Sequence, residues 1–121
     1  MSWVAWVGVA LLGGFGALAR FGLTLLVADR LHSRFPLGTL AVNLSGAFLL
    51  GLLAGTSLDG DTRLVLGAGA LGAYTTFSTW MLETQRVGEA GRQRLAVANV
   101  LLSVVLGLAA VYLGRLLGTS F

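Results

Sequence analysis

Apolar residues run along this chain in four long blocks, divided by short polar connections rather than alternating with them. The uncharged runs Trp3–Ala19, Phe35–Leu58, Leu64–Leu82 and Leu95–Gly114 are 17, 24, 19 and 20 residues long. A helix needs about 20 residues to cross a bilayer. The pattern therefore predicts an all-α membrane protein of four transmembrane helices, spanning about 3–28, 35–58, 64–82 and 95–117. These spans form a single domain over 1–121, and the polar link 83–94, ETQRVGEAGRQR, reads as partly helical.

The third block has an unusual end, AYTTFSTW at 73–80. Gly67, Gly69 and Gly72 precede Thr75-Thr76, so low helical propensity meets hydroxyls that compete for backbone hydrogen bonds. A break in this helix is expected. At membrane depth, freed carbonyls are tolerated only where they face protein, water or a bound cation. Phe77 and Trp80, three apart, share a face of the helix that resumes. Spacing alone reads them as ordinary aromatic packing or, for Trp80, as part of an interfacial aromatic belt.

Other blocks carry polar pairs at helical spacing. Thr39 and Asn43 share a face of the second span, and Asn99 and Ser103 share one of the fourth. An unpartnered amide in apolar surroundings costs roughly 2–7 kcal/mol, so Asn43 needs a partner. A hydrogen bond that glues two helices is the plainer reading of Asn43 alone. Polar or aromatic pairs on three spans favour a pore. Ala47, Gly51 and Gly55 lay a small-residue stripe for close helix packing. Arg20 is a charge inside the first span, where mid-membrane burial costs at least ~2.5–3.5 kcal/mol. It reads either as a snorkelling side chain or as an electropositive vestibule that gathers anions.

Composition sharpens this picture. The chain is 56% hydrophobic and 11% charged, against about 25% charged in soluble domains. Its net charge of +3 comes from arginines scattered over loops and helix ends, which argues against nucleic acid as a partner. There is no cysteine, and the single histidine, His32, falls in a loop, so zinc chemistry is not expected. No P-loop is present and no base accompanies a serine in the spans, so the chain does not read as an enzyme. The segment MSWVAW lacks the positive charge of a signal peptide, and cleavage is not expected.

A small four-helix proton-coupled exporter of cationic drugs is the alternative for a chain of this size. It relies on a carboxylate within the membrane. Here Asp29, Asp59, Asp61, Glu83 and Glu89 all fall in connections or at a span boundary. For topology, Arg30, Arg34, Arg86, Arg92 and Arg94 share one side, while Arg63 and Arg115 lie on the other. The positive-inside rule then places both termini outside.

GALAR at 16–20, GTLAVNLSGAFLLG at 38–51 and GAYTTFSTW at 72–80 resemble the CrcB/Fluc fluoride channels, as do the length and the four-span plan. The resemblance covers essentially the whole chain. It implies an antiparallel, dual-topology dimer of four-helix subunits in the inner (plasma) membrane, each with a broken third helix. It also implies two fluoride pores and a structural sodium ion (Na+) at the dimer centre.

By the family pattern, main-chain carbonyls of Gly72 and Thr75 hold the sodium. Phe77 matches the pore phenylalanine, and Trp80 stands where a second phenylalanine is usual. Asn43 matches the pore asparagine, Ser103 a serine of the polar track, and Arg20 the vestibule arginine. Asn99 occupies a polar-track position often held by tyrosine. Thr39 and Ser78 are counted with the pore. The implied activity is passive export of fluoride from the cytoplasm. The arginine bias keeps a heterodimer with an oppositely biased paralogue as the alternative to a homodimer.

Overall fold

The computed structural model describes residues 2–32 and 35–120, and all regular structure among them is helical. Arg34, part of the charge bias above, lies outside the described residues, as do Met1, Ser33 and Phe121. Helix α1 (Trp3–Arg30) starts where the Ser2 hydroxyl accepts the Ala5 N–H at 3.2 Å. Helix α2 (Leu37–Gly55) starts directly after Pro36, which has no N–H to leave unsatisfied. Helix α6 (Gln93–Gly118) closes the chain. These three helices are long and apolar enough to cross a membrane.

The expected third span, 64–82, is a composite. It begins with the short α3 (Gly60–Leu64), widens into a π-helical stretch Val65–Leu71 through the glycine-rich sequence, and ends in a single turn, α4 (Gly72–Tyr74). Thr75 is then extended, with ψ 162°, and helix resumes as α5 (Ser78–Glu89). Most of the polar link is therefore helical, because α5 runs on through it. A left-handed glycine, Gly91 at φ 82°, stops it. Around that glycine Arg92 N–H bonds the Val87 carbonyl and Gly91 N–H bonds the Gly88 carbonyl, which satisfies the helix end.

Helices α2 and α6 pack backbone against backbone. A Cβ at Gly51 would overlap the Val111 carbonyl, and one at Gly114 the Phe48 carbonyl. Gly55 and Gly118 continue the seam. Such close approach is what small residues permit in lipid, where burial of apolar surface does not hold helices together. Of the expected stripe, Gly51 and Gly55 face α6, whereas Ala47 borders the groove described below. On the other side, Gly16 of α1 lies under the Ala70 carbonyl, which seats the π-helical stretch on α1. Large apolar side chains such as Trp3, Phe15 and Phe21 on α1, and Leu108 and Tyr112 on α6, point outward, as a lipid-facing surface requires.

Asp59 caps α3, accepting the Thr62 N–H at 2.8 Å and the Thr62 hydroxyl at 2.9 Å. These bonds hold the Asp59 carboxyl below the usual carboxylate range. For an acid whose pKa is lowered by folding, the cap is fully formed above about pH 4 and is lost as the pH falls through the lowered value. A carbon-13 titration of the Asp59 carboxyl in micelles is expected to give a midpoint below the ordinary aspartate value of about 3.9. A midpoint at or above that value would show that the carboxylate does not cap the helix.

Candidate functional site

The interruption between α4 and α5 is held from outside by one side chain. Asn43, projecting from the middle of α2, donates its Nδ2–H to the Thr76 carbonyl and accepts the Thr76 N–H on Oδ1, both at 2.9 Å. The amide replaces the hydrogen bonds that a continuing helix would have made. Gly46, one turn along on that face, gives room for it. A Cβ at Gly46 would strike the Thr75 methyl and crowd the Tyr74 ring. Tyr74 also meets Ser45, hydroxyl to hydroxyl, at 2.7 Å.

The same diversion exposes two carbonyls. In a helix Gly72 O would accept from Thr76 N–H, but that N–H goes to Asn43. Thr75 O would accept from Thr79 N–H, but that one goes to the Thr76 hydroxyl at 3.2 Å. Gly72 and Thr75 thus carry carbonyl oxygens deprived of their helical partners, and both residues line a common groove. Oxygens of this kind are the ligands a hard cation takes. Among the described residues no cluster of His, Cys, Asp or Glu offers a side-chain metal site.

That groove, about 350 Å³, runs between α2 and the interruption. It brings together Asn43, Gly72, Thr75, Phe77 and Trp80. Phe77 is 70% exposed. Its ring meets Trp80 edge to face, with centroids 5.6 Å apart and planes at 77°. An aromatic ring has a negative face and a positive edge, and the edge-to-face contact pairs the two. Ser78 starts α5, with its hydroxyl 3.5 Å from that of Thr76.

The remaining expected residues sit apart from the groove. Asn99, on α6, is 1% exposed. It donates Nδ2–H to the Thr84 hydroxyl at 2.7 Å and accepts from Ser103 at 3.4 Å. The Trp80 indole N–H donates to the Asn99 backbone carbonyl at 3.4 Å. Arg20 is half-buried on α1, one turn beyond Gly16, and is not among the residues that line the groove.

Thr39 is buried and donates its hydroxyl proton to Glu83 Oε1. The sequence leaves Glu83 at a span boundary. The structure brings it onto α2, on the face it shares with Asn43. Glu83 also lines a smaller cavity of about 170 Å³ between the end of α1 and the start of α2. Thr84 and Glu83 were both missed as site residues. A signal was available in the sequence: Thr84 lies four residues after Trp80, so it shares that face.

A family model described as "CrcB-like protein, Camphor Resistance (CrcB)" matches residues 7–115. The chain belongs to this family. The CrcB relatives include a protein of Mycobacterium tuberculosis (strain CDC 1551 / Oshkosh), named fluoride-specific ion channel FluC 2. It is 57% identical over 110 residues, covering 91% of this chain and 87% of the relative. A fluoride-specific ion channel FluC 1 of Symbiobacterium thermophilum is 47% identical over 124 residues, covering 98% of each chain. The same organism has a FluC 2, 46% identical to this chain over 113 residues. CrcB membership and three apolar helices of spanning length make this a membrane protein.

Proposed function

We propose that this chain is a subunit of a fluoride-selective channel, through which fluoride leaves the cytoplasm by passive electrodiffusion across the plasma membrane. One observation carries the reading. Asn43 holds a break open beside an exposed phenylalanine whose ring is fixed edge-to-face on Trp80. A conduction path must replace fluoride's hydration without holding the ion too tightly to release it. Ring edges and neutral donors do this more weakly than fixed cations. The relatives named as fluoride-specific channels support the choice of ion.

In this reading each subunit crosses the membrane four times. The third crossing consists of the stretch from α3 to α5, interrupted at 75–77. Two subunits pair antiparallel, so that each groove, open on one chain, meets the other chain. The oxygens of Gly72 and Thr75 fit a sodium ion, and these residues would hold it at the centre of the pair. When bound, the ion supplies positive charge that ties the two breaks together. Phe77 then lines the path with its ring edge, Ser78 flanks it with a hydroxyl, and Arg20 draws anions towards the mouth, whereas Thr39, expected beside the path, has its one hydroxyl proton on Glu83.

The arginine bias favours a second reading, a heterodimer with an oppositely inserted paralogue. Two differently numbered FluC relatives in one organism are consistent with that. Both readings are tested by fluoride efflux from liposomes containing only this purified chain, with a potassium ionophore to carry the balancing charge and a chloride-loaded control. Fast release of fluoride without chloride is expected from a homomeric channel. Silence from folded protein, followed by release once the paralogue is added, would establish the heterodimer. Release that requires an imposed proton gradient would overturn the channel in favour of a carrier.

A further inference from the structure

Thr84 closes a ring of hydrogen bonds behind the aromatic pair. Its hydroxyl has a single hydrogen, donated to the Trp80 carbonyl at 2.7 Å. Toward Asn99 it can therefore only accept, and Asn99 must present Nδ2–H to it, also at 2.7 Å. The Asn99 backbone carbonyl in turn accepts the Trp80 indole N–H. One short bond, from Asn99 to Thr84, thus ties α6 to α5, with the Thr84 hydroxyl oriented by its bond to Trp80 within α5, and a second, longer bond between the helices holds the indole.

We propose that Thr84 is a positioning residue for the pore aromatics: through Asn99 it fixes the Trp80 indole, and the indole holds the Phe77 ring against it. The lengths say which bond depends on which. At 3.4 Å the indole bond lies near the outer limit of a hydrogen bond, so an opening of the α5–α6 seam by a few tenths of an ångström breaks it first. Without the Thr84 hydroxyl, the buried Asn99 amide loses its acceptor and must turn to find another, which produces such an opening. The Trp80 ring is then free to tilt, and the edge-to-face contact with Phe77 is lost.

The test labels the tryptophans with nitrogen-15, since Trp3, Trp6 and Trp80 give three indole signals. Trp80→Phe identifies the signal of interest. Thr84→Val keeps the shape and removes the hydroxyl. It is expected to move the Trp80 signal, leave Trp3 and Trp6 in place, and lower fluoride flux per assembled channel about fivefold, the scale of one hydrogen bond. Thr84→Ser retains the hydroxyl and is expected to keep both signal and flux near the parent values. Should Thr84→Val fail to assemble, the smaller Thr84→Ala carries the same expectations.

The proposal is overturned by a Trp80 signal that does not move, by unchanged flux in the variant lacking the hydroxyl, or by Thr84→Ser behaving as Thr84→Val. The flux arm rests on the fluoride-channel reading and the indole arm does not. A parent chain that conducts no fluoride would therefore overturn that reading, while the indole signal still decides whether Thr84 positions Trp80.

Discussion

Phe77→Ile is expected to abolish fluoride release while leaving the assembly intact. The ring is 70% exposed at the groove and contributes little packing within the chain, so its removal leaves no cavity in a core. Isoleucine is also apolar and bulky, but it has no quadrupole and so no positive edge. The substitution therefore separates electrostatics from hydrophobicity at one position. Liposome efflux at matched protein, with size-exclusion chromatography of the same preparation, is the measurement. Normal efflux from Phe77→Ile would remove this ring from the ion's path.

The second large effect belongs to Asn43. Asn43→Leu deletes both bonds to Thr76, each contributing about 0.5–1.5 kcal/mol net, and frees the Thr76 N–H to return to the Gly72 carbonyl. The helix can then continue where it was interrupted, so one substitution removes the groove's polar end and the carbonyls beside it. Flux is expected to fall to background, with a lower melting temperature in detergent. Asn43→Asp keeps one of the two bonds. It still accepts the Thr76 N–H, but it sets a second oxygen against the Thr76 carbonyl where the amide donated, so it is expected to melt below the parent as well. Its negative charge repels an anion, so flux is still lost. An Asn43→Leu chain that conducts normally would show that the break stands without its clamp.

The apolar blocks placed α1, α2 and α6 closely, because a bilayer demands long apolar runs and little else produces them. The interruption after Tyr74 was also legible, since glycines followed by paired threonines weaken a helix wherever they occur. What could not be read was which partner each polar group would take. Asn43 was expected to need a partner, but its pair of hydrogen bonds to the Thr76 backbone depends on α2 lying against the break. Asn99 was expected at the pore, and spacing did not show that within this chain it is buried in the α5–α6 seam, bound to Thr84. Glu83 was read only as a boundary residue, because sequence distance hides that its carboxylate accepts from Thr39 in the first turn of α2. The π-helical turn at Val65–Leu71 likewise follows from seating Gly16 and Gly69 against neighbouring backbones, which one-dimensional spacing does not contain.

The glycine seam between α2 and α6 has a further consequence for any variant of this protein. Where backbones touch directly there are no side chains to change rotamer, so the contact has no graded set of alternatives. The two helices are either in register or apart. Damage at Gly51 or Gly114 should then change how many working pores a membrane holds and leave the unit current of each survivor the same.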